Sequence, residues 1–138
     1  MKLSEYLRRA VTIVSLAWVA AANSATATEP LSAVSQPAGL RVSMVSELQP
    51  LVINQMHSWV ISLQDTQGEP IDNAVIHIEG GMPLHNHGLA TSPQVTGALG
   101  EGRYRLQGMR FHMNGEWQLR LQIQHDGVTY RTTFNLTL

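Results

Sequence analysis

Apolar and polar residues alternate in short runs from Leu40 almost to the end of the chain, and turn residues punctuate the runs. Leu40, Val42 and Met44 alternate with Arg41, Ser43 and Val45, the period of a strand with one buried face. Between Met56 and Gln64, Trp59, Ile61 and Leu63 share one face. Residues 65–70 (Asp-Thr-Gln-Gly-Glu-Pro) form a turn cluster, and Ala74, Ile76 and Ile78 then make an inward row opposite Val75, His77 and Glu79. A loop is predicted from Gly80 to about Pro93, followed by short strands at 94–99 and 103–113 joined by a tight Gly100-Glu101-Gly102 turn. Gly108 marks a bulge inside the second of these, which leaves the facing of Met109, Phe111 and Met113 open. Asn114-Gly115 and Asp126-Gly127 have the composition of two-residue hairpin turns, flanking strands with Trp117, Leu119, Leu121 and Ile123 on one face and ending in Val128–Leu136. The sum is about seven strands with no helical period, which predicts an all-β chain: a single immunoglobulin-like β-sandwich of about seven antiparallel strands.

The region before Leu40 reads differently. Lys2, Arg8 and Arg9 precede a largely apolar run from Ala10 to Ala22, too short to span a bilayer comfortably, and Ala25-Thr26-Ala27 fits a cleavage site. Residues 1–27 are therefore expected to be a signal peptide cut after Ala27, with Ser24 as the alternative, and the protein is expected to be periplasmic or secreted. Residues 28–39, rich in Ala, Ser, Pro and Gln, are expected to be a flexible lead-in to a domain spanning 40–138.

From Thr28 onward the chain has six Arg, no Lys and nine acidic residues, a formal net charge of −3. With no basic stripe, nucleic acid is not an expected partner. The absence of cysteine excludes thiolate metal sites, covalent haem attachment and thiol catalysis. No GxSxG elbow, HExxH helix or phosphate-binding glycine loop occurs, so the chain is not expected to be an enzyme. Arg103, Arg105 and Arg110 are expected to share a solvated face with Glu79, Glu101 and Glu116.

The candidate chemistry lies in Gly80-Gly81-Met82-Pro83-Leu84-His85-Asn86-His87-Gly88. In an extended segment His85 and His87 would project to one side. His112 and Met113 sit beside the Asn114-Gly115 turn, and if the loop folds over it, imidazoles and thioethers converge. Imidazole with thioether, and without thiolate or carboxylate, suits copper. In the other reading Met82 fills the core and the histidines shape the loop through hydrogen bonds. His57, His77 and His125 are expected at the surface, and Trp59 and Trp117 in the core.

The sequences Met82-Pro83-Leu84-His85-Asn86-His87-Gly88, Gly102-Arg103-Tyr104 and Phe111-His112-Met113-Asn114-Gly115-Glu116-Trp117 resemble, in order, the landmarks of the YtkA-like domain family, small exported β-sandwiches similar to the periplasmic part of FixH proteins. That resemblance implies copper handling or a part in respiratory-oxidase assembly, with Met82, His85, His87 and Met113 as matching site positions; His112 joins them by proximity alone. The expected function is an exported, non-enzymatic copper-binding or chaperoning protein, with a copper ion and an envelope or respiratory protein as partners. The alternative is an envelope accessory module in which the histidine loop is structural or a contact surface.

Overall fold

The computed structural model describes residues 29–138, and the expected signal peptide at 1–27 lies outside them. Among the described residues there is no helix, and nine strands form two antiparallel sheets: β1 (Leu31–Val34), β2 (Leu40–Ser46), β3 (His57–Asp65), β4 (Val75–Met82), β5 (His87–Gly88), β6 (Gln94–Gly100), β7 (Arg103–Met109), β8 (Glu116–His125) and β9 (Val128–Thr137). One sheet has the order β1-β2-β3-β7-β6 and the other β5-β4-β8-β9. The all-β sandwich is as expected. The two strands beyond seven are β1, inside the segment expected to be a flexible lead-in, and β5. Residues 31–34 are held because β1 pairs with β2, Leu31 opposite Met44 and Val34 opposite Arg41.

The core is the alternation made three-dimensional. Val42 pairs with Leu63 and Met44 with Ile61 in one sheet; Ile76 pairs with Ile123 and Ile78 with Leu121 in the other. These inward rows meet between the sheets, and Trp59 and Trp117 are buried among them, as expected. In β4 the inward row continues past Ile78 through Gly80 to Met82. Gly80 has no room for a side chain, since a Cβ there would come within 2.9 Å of both Leu89 and Leu119.

Gly108 is the bulge. Three residues on β3 (Trp59 to His57) face four on β7 (Leu106 to Met109), and Gly108 takes φ +87°. The extra residue shifts the inward parity from Tyr104 and Leu106 to Met109 and Phe111, which are both fully buried.

Asn114-Gly115 departs from expectation. The strands on either side of it, β7 and β8, lie in different sheets, so the segment is a crossover at one end of the sandwich and not a hairpin turn. Gly115 has φ +132°, and Asn114 is not among the residues with positive φ, whereas a type I′ turn needs it at both positions. Asp126-Gly127, at φ +47° and +74°, meets that requirement and joins β8 to β9.

At the opposite end Tyr104 ties the two sheets together. Its hydroxyl donates to the Ile71 carbonyl (2.7 Å) and accepts from the Ala74 amide (3.1 Å). Tyr104→Phe leaves both backbone groups without this partner and is expected to cost about 2 kcal/mol. Urea unfolding checks this, with a lowered midpoint at unchanged slope.

Candidate functional site

The loop expected to run from Gly80 to Pro93 is mostly structured. β4 extends to Met82, β5 returns at His87, and four residues turn between them. The local chemistry explains the turn: Pro83 presets its first position, the His85 and Asn86 amides both donate to the Met82 carbonyl (3.0 and 3.1 Å), and Asn86 takes the left-handed conformation at φ +52°. Residues 85–87 are therefore not extended, yet the His85 and His87 rings still lie side by side with centroids 5.8 Å apart.

This hairpin lies beside the crossover. The His87 ring is 5.3 Å from that of His112, so residues 25 positions apart in sequence meet at one end of the sandwich. His112 in turn contacts Trp117 edge to face, at 5.4 Å and 79°. Trp117 is fully buried, packs against Phe111 in a T-shaped pair at 5.1 Å, and donates its indole N–H to the Met113 carbonyl at 3.0 Å. Residues 112 and 113 are thus both held by one buried indole. The Asn54 amide donates to the Phe111 carbonyl (2.7 Å), which brings the β2–β3 loop to the same end.

The five residues singled out from the sequence are placed unequally. His85, His87 and His112 form a row. Met113 is on the crossover and 36% exposed. Met82 is 1% exposed, the last member of the inward row of β4; its terminal methyl lies under Gly115, where a Cβ would stand 2.8 Å from it. Its thioether packs the core, the role the second reading of the loop gave it. Among the described residues no group of three or more His, Cys, Asp or Glu is disposed to hold a metal, so any site here rests on two imidazoles with other donors.

Of the other histidines, His77 is exposed as expected, but His57 is not. It is 7% exposed, packed against Trp59 and Phe111, with Nδ1 3.0 Å from the Gln55 carbonyl. The β3–β7 register places it opposite Met109, on the buried face created beyond the bulge. His125 is half-buried, its Nε2 3.3 Å from Asp126. The expected arginine face is also rearranged: Arg105 pairs with Glu47 at 3.1 Å, and Glu79 with Arg120 at 3.5 Å.

The end that carries the imidazole row has few charged side chains. The loop tips at 48–56, 83–86 and 111–115 contain none, Glu47, Arg110 and Glu116 flank them, and Arg120 lines the same cleft as His87, whereas the turns at the far end carry Asp65, Glu69, Asp72, Glu101 and Asp126. The loops at the same end carry exposed apolar side chains: Leu84 (77%), Met56, Val52 and Met113. The sequence signal for this clustering was the presence of Met56, His57, His85, His87, His112 and Met113 at strand ends that the sheet order brings to one pole.

The YtkA-like family model matches residues 35–122. No curated protein and no solved structure matches the chain.

Proposed function

The chain belongs to the YtkA-like family, and on that premise we propose that it is an exported, non-enzymatic protein that binds copper and passes it on. The observation that carries this reading is the row His85–His87–His112, with centroid spacings of 5.8 and 5.3 Å, on loop tips that carry no charged side chain. His87 and His112 are the proposed principal donors, with the Met113 thioether beside His112 and His85 at the outer end. Neutral imidazole and thioether favour copper over calcium or magnesium, which require oxygen donors, and the lack of nearby carboxylates disfavours a typical catalytic zinc set. Met82 is left out of the donor set because its side chain is enclosed.

The test is a competitive copper titration under reducing and oxidising conditions, comparing wild type with His85→Ala/His87→Ala. Stoichiometric binding lost in the double variant is the expected result. Equal affinity in the two proteins would remove the proposal.

A second reading is favoured by Leu84, whose side chain is 77% exposed at the tip of the hairpin. An exposed apolar tip at an end that carries other exposed apolar side chains suits docking on an envelope protein. In this reading Leu84→Asp abolishes capture of the partner in the presence of a copper chelator, while His85→Ala/His87→Ala retains it. Capture that requires added copper would favour the first reading.

A further inference from the structure

We propose that the outer face of the β5-β4-β8-β9 sheet carries a second, metal-independent site, which takes a small oxyanion of the carboxylate or phosphate type between Arg120 and Arg131. The sheet register builds it. Ile76, Leu121 and Thr132 are buried on the inner face, so the residues on either side of each point outward. These outward residues form two cross-strand rows, Glu79–Arg120–Thr133 and His77–Gln122–Arg131. All six line one cleft. Arg120 and Arg131 are diagonal neighbours on adjacent strands, a spacing of about 7–8 Å along the backbone.

The polar groups of the two rows are used unequally. Arg120 is shared between Glu79 at 3.5 Å and Gln118 at 3.4 Å. Arg131 makes no ion pair among the described residues, and the side chains of Gln122 and Thr133 make no hydrogen bond among them. One carboxylate therefore serves two guanidinium groups. Like charges at neighbouring strand positions repel, and an anion seated between them removes the repulsion. Guanidinium presents paired N–H donors that match an edge of a carboxylate or phosphate. Gln122 and Thr133, the cross-strand partners of Arg131 and Arg120, add an amide and a hydroxyl donor. Four such positions on two adjacent strands are the footprint of one small anion. The cation pair is also a local exception, since the chain from Thr28 onward has a formal net charge of −3. Glu79 is the internal competitor for Arg120.

The experiment is an amide proton–nitrogen titration of the metal-stripped protein with inorganic phosphate and, separately, with succinate. Ionic strength is held constant with sodium chloride, and chelators are left out because they are themselves polycarboxylates. Saturable shifts centred on residues 120–122 and 131–133 are expected, and the tighter of the two probes identifies the class of oxyanion. Arg131→Gln is expected to weaken binding by about 10-fold or more, the scale of a lost charge-assisted hydrogen bond. Arg41→Gln, which removes an exposed arginine of the other sheet, is expected to change nothing. Glu79→Gln frees Arg120 and is expected to tighten binding, a gain that a merely structural role would not produce. Shifts that fail to saturate, or equal affinity in wild type and Arg131→Gln, would overturn the proposal. Binding of a glutamate-rich peptide without binding of phosphate or succinate would overturn it too and assign the face to a protein partner. No copper enters the measurement, so this site and the copper reading stand or fall separately.

Discussion

His112→Ala is expected to lower copper affinity by at least about 100-fold, as much as His87→Ala does. Changing residues that merely support a metal ligand costs about 10–100-fold, and loss of a donor should cost no less. The argument turns on where the two rings come from. His85 and His87 belong to one four-residue hairpin, and a site built on the hairpin alone would be indifferent to His112. The structure puts the His112 ring 5.3 Å from His87, slightly nearer than His85 at 5.8 Å. If His87 and His112 share one ion, removing either leaves a single imidazole. The double variant should then be little worse than either single one, a non-additivity expected of residues that act together. Competition against a chromophoric chelator measures all three. Strictly additive losses, or an affinity that depends on His85 and His87 but not on His112, would place the donors on the hairpin alone.

Gly102→Ala is expected to cost about 3–5 kcal/mol, a large fraction of the about 5–15 kcal/mol that holds a domain of this kind folded. Two effects combine. Gly102 has φ +69°, where a Cβ costs about 1–2 kcal/mol. That Cβ would also collide with the Leu63 carbonyl oxygen and stand 2.9 Å from the Ile71 nitrogen, and neither is a side chain able to swing aside. The same carbonyl accepts from the Ile71 amide (3.0 Å), while the Gly102 carbonyl accepts from Leu63 (2.8 Å) and its amide donates to Asp72 (2.9 Å). A shift at Gly102 therefore disturbs the hydrogen bonds that join the β6–β7 turn to β3 and to residues 71–72. Gly68→Ala is the control. Its φ is +87°, but nothing lies within 4 Å of the added Cβ, so only the conformational cost of about 1 kcal/mol is expected. Thermal or urea unfolding of the two variants side by side separates strain from collision.

Much of the fold was legible in the order of residues. Strand alternation is local, so Trp59, Ile61 and Leu63, or Leu119, Leu121 and Ile123, could be assigned to a buried face with no knowledge of their neighbours. Asp126-Gly127 could be placed for the same reason, since a two-residue turn is decided by the φ preferences of its own two residues. Asn114-Gly115 has the same composition and does not form such a turn. Whether strands on either side of a turn pair with each other depends on which sheet each one joins, and that is settled by burial over the whole domain. The short strand β5 escaped because two residues carry no period, and His57 was misplaced because its facing depends on a bulge in the strand opposite.

The candidate site divides along the same line. The sequence by itself determined the donor types: imidazole and thioether without thiolate, on a chain with no cysteine, in a segment where Pro83 and Asn86 favour a tight turn. The tertiary structure decided which of them can act together. It drew Met82 into the core, because residue 82 falls on the inward parity of β4, and it brought His112 to His87, because β7 and β8 lie in different sheets and the link between them must cross the end of the sandwich beside the β4–β5 hairpin. Parity is written along the chain, but the meeting of two loops is not, since it follows from the packing of one sheet on the other.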